Sequence, residues 1–126
     1  MGNRAQNGTG ISKMKRRDVK VKTANYTLQD HIDENAIFSN LDAPLAVELQ
    51  LPAAVPGRSC TLLVETACPF RAQPASGEKI SSGAGVLGAA DKYVGNNVVG
   101  CRVTLVCEKA GEWKAMDVVG TWTVES

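Results

Sequence analysis

Four cysteines, one histidine and a short acidic run are the groups in this 126-residue chain with which chemistry could be done. Cys60 and Cys68 lie eight positions apart and Cys101 and Cys107 six apart, so there is no paired Cys-x-x-Cys knuckle of the kind that grips zinc or cycles as a redox couple. Cys60, Cys101 and Cys107 also fall on the apolar parity of alternating segments, where cysteine behaves as a small hydrophobe. Buried free thiols are the leading reading, ahead of disulfides, with a metal site last. The histidine, His31, stands in Asp30-His31-Ile32-Asp33-Glu34, a cluster that could hold a cation or supply a base. It lacks the ordered oxygen ligands and turn glycine of a calcium loop and reads as a solvated acidic loop between strands. Gly83-Ala84-Gly85-Val86-Leu87-Gly88 matches G-x-G-x-x-G in letters, yet Asp91-Lys92-Tyr93 and strand-like sequence follow where a phosphate-binding helix would have to begin, so a loop is expected. Asn7-Gly8-Thr9 and Asn25-Tyr26-Thr27 are glycosylation sequons in form only. No catalytic residues, no cofactor and no metal site are expected, and the chain is not read as an enzyme.

The net charge of +1 conceals two opposed regions. Residues 1–25 carry Arg4, Lys13, Lys15, Arg16, Arg17, Lys20 and Lys22 against Asp18, a balance of +6, which leaves −5 on the remainder. This first stretch has no aromatic residue and few aliphatics, too little apolar area to offset the entropy of ordering itself. It is expected to be a flexible basic arm, reaching on the order of 80 Å if extended at about 3.3 Å per residue. Phosphate contacts by its lysines and arginines would be salt-dependent, but the arm has no aromatic to stack on bases and the body is acidic, so nucleic acid is disfavoured against an acidic protein surface. No apolar run is long enough to span a bilayer, and the basic, polar N-terminus has no signal-peptide core, so cytoplasmic synthesis without a membrane partner is expected.

What must position any of these groups is a set of strands. From Tyr26 onward the apolar period is two: Val47, Leu49 and Leu51 share a face, then Cys60, Leu62 and Val64, then Cys101, Val103, Leu105 and Cys107. Pro52, Pro56-Gly57 and Cys68-Pro69 punctuate the first two, and Lys109-Ala110-Gly111 reads as a hairpin turn into residues 112–119, with Gly120 preceding a last strand through Val124. Weaker strands are expected at 26–29, 36–39, 70–73 and 92–94, and a Gly-rich loop at 81–90. The pattern predicts an all-β body over residues 26–126, a small antiparallel sandwich or barrel that covers its edges by oligomerising. Phe38, Leu49, Leu51, Leu62, Val103, Leu105, Trp113 and Trp122 are assigned to core or subunit packing.

One ordered set of residues carries a resemblance: Tyr26-Thr27-Leu28, Asp30, Ile37-Phe38-Ser39-Asn40, then Val47-Glu48-Leu49-Gln50-Leu51-Pro52-Ala53-Ala54 with Gly57. Phe70-Arg71-Ala72-Gln73-Pro74, Gly77-Glu78-Lys79-Ile80, Tyr93, Val99-Gly100, Val103-Thr104-Leu105-Val106, Glu112-Trp113 and Gly120-Thr121-Trp122-Thr123-Val124 continue it. The chain resembles small β-rich virion proteins of tailed bacteriophages, with His31 where many of them have glycine and a shortened region around Pro44. The resemblance implies a capsid decoration or cement protein, usually a homotrimer, that clamps the major capsid protein from outside; related modules occur in tail fibres. A chain that starts at Met and stops just after its last strand fits the stand-alone role. The expectation is thus a structural virion protein on the capsid surface, assembled in the bacterial cytoplasm, with Lys13, Lys15, Arg16, Arg17, Lys20 and Lys22 as the capsid-docking arm. A tail-fibre or appendage component that binds a host surface through the 81–97 loops is the alternative.

Overall fold

The computed structural model describes residues 17–81 and 87–125. Its elements are β1 (Val19–Val21), β2 (Tyr26–Thr27), β3 (Ile37–Ser39), β4 (Val47–Gln50), β5 (Ser59–Leu63), β6 (Phe70–Gln73), β7 (Lys79–Ile80), β8 (Val94–Asn96), β9 (Arg102–Lys109), β10 (Glu112–Val119) and β11 (Thr123–Val124). They form two packed sheets, ordered β1-β3-β5-β9-β10-β7 and β11-β8-β6-β4-β2, so the all-β sandwich is as the periodicity predicts.

The pairing differs from the antiparallel expectation. Through the first six strands the chain crosses from one sheet to the other at every step, so β1, β3 and β5 stack in parallel on one side and β2, β4 and β6 in parallel on the other. Tyr26 stacks on Leu49 and Leu49 on Ala72, an equal step along the chain each time. The first half is therefore a flattened coil of three turns. Antiparallel pairings of β8 with β6 and β11, and of β9 with β5 and β10, finish it, with β7 parallel to β10 at the edge; among the described residues the one tight hairpin joins β9 to β10, with Glu112 opposite Lys109. Alternation specifies which face of a strand is buried but is identical for parallel and antiparallel neighbours, which is why direction did not follow from the pattern.

Registry carries the core straight across the sheets. Phe38, Leu62 and Val103 lie side by side on the inner face of one sheet, and Leu49, Ala72 and Val94 on that of the other. All eight residues assigned to packing are buried: Phe38, Leu49, Leu51, Leu62, Val103, Leu105, Trp113 and Trp122. Fully burying one such aliphatic side chain is worth about 1.5–3 kcal/mol.

A second correction concerns the N-terminal boundary. Residues 17–25, assigned to the flexible arm, belong to the body: β1 pairs with β3 in the register Val19–Ile37, Lys20–Phe38, Val21–Ser39. Hydrogen bonds from Ile37 N to Asp18 O (2.8 Å) and from Lys22 N to Ser39 O (2.8 Å) extend this ladder. Three residues are too few for a period to show, and β1 carries a lysine at its inward position, so composition alone reads it as tail.

Gly120 shapes the last corner. Its φ is +87°, and a Cβ there would lie 2.2 Å from Cys101 Sγ. The tight turn lets Trp122 fold back and donate its Nε1–H to Arg102 O (3.0 Å) and Val119 O (3.2 Å). Gly120→Ala is expected to destabilise the protein by roughly 2 kcal/mol or more, through left-handed backbone strain and overpacking against Cys101. Urea unfolding of the variant beside the parent measures it.

Candidate functional site

A coil of this kind has an open end, where the inner positions of its first turn would face water. Here that turn carries Lys20, on the same inward row as Phe38 and Leu62. Its ammonium is met by Asp33, whose side chain is 1% exposed, at 2.5 Å, and it also donates to Ile32 O at 2.8 Å. Asp33 accepts two further hydrogen bonds on its other oxygen, from Tyr26 Oη (2.7 Å) and Gln29 N (2.7 Å). Lys22 closes over the Tyr26 ring, with Nζ 3.6 Å from its centroid. Burial pushes the Asp33 carboxyl up, but the hydrogen bonds from Lys20, Gln29 N–H and Tyr26 outweigh it and hold the group below the ordinary range. Tyr26, donating to that carboxylate and partly shielded from water, is held above the ordinary phenol range.

The acidic loop is thus not simply solvated: Asp33 is a buried hub. His31 and Glu34 remain outside, His31 at a φ of +67° with Nδ1 3.9 Å from Glu34. Asp30 pairs with Arg58 at 3.0 Å. Spacing could not distinguish Asp33 from its neighbours; the one available signal was a lone lysine between two valines in Val19-Lys20-Val21, which demands a buried anion if those residues form a strand.

Three of the expected docking cations make contacts within the chain. Arg17 runs across β3 to β5, donating to Asn35 O (2.9 Å), Ala36 O (3.4 Å) and Thr61 Oγ1 (2.8 Å). Lys20 and Lys22 seal the first turn as described. Lys13, Lys15 and Arg16 lie outside the described residues, as does most of the Gly83–Gly88 loop.

The residues that carry the resemblance turn out to be joints. Asn40 is fully buried and clamps the β5–β6 connection, accepting from Glu65 N (2.8 Å) and Thr66 N (3.0 Å) and donating to Thr66 O (2.9 Å) and Cys68 O (3.1 Å). Ser39 Oγ is hydrogen-bonded to Glu65. Glu78 accepts the Ala54 N–H on both oxygens, at 2.9 and 3.1 Å, tying the turn after β4 to the approach of β7. Each satisfies backbone groups that would otherwise be stranded in a turn.

Cys60, Cys101 and Cys107 are buried and Cys68 half-buried, all as free thiols. Burial raises Cys60 to about 12, only partly countered by Arg17, and raises Cys107 as well, with Glu78 adding to the effect. Such thiols are poor nucleophiles. Among the described residues no group of three or more His, Cys, Asp or Glu side chains is placed to hold a metal ion, and no helix is long and apolar enough to cross a membrane.

The two outer faces differ. On the β2-β4-β6 sheet the outward rows are polar, Thr27-Gln50-Gln73 and Glu48-Arg71-Gly95-Thr123. On the β1-β3-β5 sheet they run Val19-Ile37-Thr61-Thr104-Met116 and Val21-Ser39-Leu63-Arg102-Val119. Val19 is 63% exposed and Val21 50%, and Met116 and Val119 are also open to solvent. This face is mixed, with Arg17 lying across it to Thr61 and with Ser39 buried, but its exposed Val19, Val21, Met116 and Val119 make it the candidate docking surface. No protein-family model matches the chain, and no relative is found among curated proteins.

Asp33→Asn should destabilise the protein by about 2–4 kcal/mol, because it leaves the Lys20 ammonium without its counter-charge at the sandwich edge. With the Asp33 pKa depressed in the fold, its contribution is fully present above the unfolded value near 4. It is lost as pH falls through the lower folded value. Urea midpoints taken between pH 7 and pH 2 should fall for the parent and fall less for Asp33→Asn; parallel curves would remove Asp33 as the cause.

Proposed function

We propose that this protein is a structural component of a tailed-bacteriophage particle, decorating and stabilising the capsid exterior as a homo-oligomer. One observation carries the reading beyond the resemblance: Asn40, Glu78 and Phe38 of that pattern are spent on turns and core, while Val19, Val21, Met116 and Val119 stay exposed on the sheet face beside the chain's basic N-terminal segment. That is what a surface-binding module needs. The arrangement fits a subunit that lays one sheet on an acidic or neutral protein lattice. Its basic N-terminal segment would add long-range attraction to the contact. Repeated around a shell, weak contacts of this kind sum through multivalency.

Docking through residues 13–16 replaces docking through the whole set of cations, because Arg17, Lys20 and Lys22 already have partners. An arm cut before Tyr26 would remove β1 and unseal the body, so the informative cut is after Arg16.

A second reading, an appendage component that binds a host glycan, is favoured by one recess of about 220 Å³ lined by Pro69, Arg71, Tyr93, Asn96, Asn97 and Thr123. There Arg71 stacks over the Tyr93 ring at 4.7 Å, setting a guanidinium beside the Asn97 amide, while the Asn96 amide already donates to Thr121 O.

Quantitative mass spectrometry of purified particles should find this protein at a copy number close to that of the major capsid protein. Removal of residues 2–16 should lower particle association by about tenfold or more at an unchanged thermal midpoint. A copy number far below that of the capsid protein supports the appendage reading, and undiminished association after the cut would overturn docking by the N-terminal segment.

A further inference from the structure

The strand β1 ends its sheet, with β3 on one side and, among the described residues, no neighbour on the other. Its ladder to β3 uses the backbone of Asp18 and Lys22, which are of one parity with Lys20. The N–H and C=O groups of Val19 and Val21 consequently point away from the sheet, as alternate residues of a strand must. Such an edge is a template for another strand unless something blunts it. Lysines commonly do so, yet here the Lys20 ammonium is turned inward to Asp33 and Ile32 O, and Lys22 lies over Tyr26.

We infer that two copies of this chain dock edge to edge through β1, antiparallel about a two-fold axis centred on Lys20. The segment Asp18-Val19-Lys20-Val21-Lys22 is self-complementary in this register. Val19 lies opposite the second copy's Val21, and the two residues exchange both backbone hydrogen bonds, as do Val21 and the second copy's Val19. Their side chains, the most exposed aliphatics of that sheet face, cover one another across the junction. Asp18 falls opposite the second copy's Lys22, and Lys22 opposite its Asp18, so in the dimer each Lys22 ammonium exchanges its place over the Tyr26 ring for an ion pair, at the positions where antiparallel strands bring side chains closest. The central Lys20 pair is the only like-charge juxtaposition, and each ammonium has its own buried carboxylate at 2.5 Å.

Shifting the register by two residues one way places Lys20 opposite Lys22 and loses both ion pairs; shifting it the other way places Asp18 opposite the second copy's Lys20, whose ammonium is already held by Asp33, and leaves Lys22 without an acid opposite it. The result is one continuous sheet running through both subunits, with the two outer faces that carry Val19, Val21, Met116 and Val119 side by side on the same surface. Pairing of this kind is isologous and closes at two chains, in contrast to the trimer that the resemblance implies. It needs nothing from the proposed capsid role and stands or falls without it.

The test uses the full chain. Sedimentation velocity over a dilution series should give twice the chain mass. Val21→Pro removes an N–H that β3 does not use, so the fold should hold while the dissociation constant rises by about tenfold or more. Asp18→Lys should weaken association by a similar factor, about tenfold, through repulsion from Lys22. The double variant Asp18→Lys, Lys22→Asp exchanges the charges and should restore the dimer, an outcome that general surface charge or damage to the fold would not produce. A monomer at all concentrations, a trimer, or a dimer indifferent to both Val21→Pro and Asp18→Lys would overturn the proposal.

Discussion

Everything about the open end of this sandwich depends on one buried carboxylate. A chain wound as a flattened coil must stop somewhere, and at its first turn the inner row runs out of apolar partners. Here the row ends in Lys20, and Asp33 makes that tolerable by meeting the ammonium, the Tyr26 hydroxyl and the Gln29 amide together. Three donors on one carboxylate convert a costly burial into a closure, because each group that leaves water finds a charged or polar partner. An apolar residue at position 20 would fit the row, but it would leave Asp33 with only two donors.

The closure also explains why cations that look available from the sequence are not. Arg17, Lys20 and Lys22 are adjacent in a charged run, yet each is led by strand geometry to a different partner: across β3 to Thr61, inward to Asp33, and back over Tyr26. Charge density along a chain therefore overstates what is presented to a partner once that chain pairs into a sheet.

The core was legible in the sequence because alternation over Val47–Gln50, Ser59–Leu63 and Arg102–Lys109 is long enough to define a face, and Lys109-Ala110-Gly111 marks the hairpin between β9 and β10. Strands of two or three residues, β1 and β7 above all, are too short for a period to register. Strand direction was illegible for a different reason, since a crossover and a hairpin leave the same alternation behind. The buried roles of Asp33, Asn40 and Glu78 were hidden because an acid or amide in a turn looks solvated until the backbone groups it must satisfy are in place.

The wound topology bears on how the chain reaches its native state. Among the described residues only β9 and β10 are joined by a tight hairpin; the other pairings bring together segments far apart in the chain. The cheapest contact to form is therefore made by the segment that leaves the ribosome late, while the early strands wait for a template. Assembly then proceeds backward, β5 onto β9, β3 onto β5 and β1 last. The N-terminal turn, first to be synthesised, is the final piece to be laid down, and until then its valines and lysines stay accessible to chaperones.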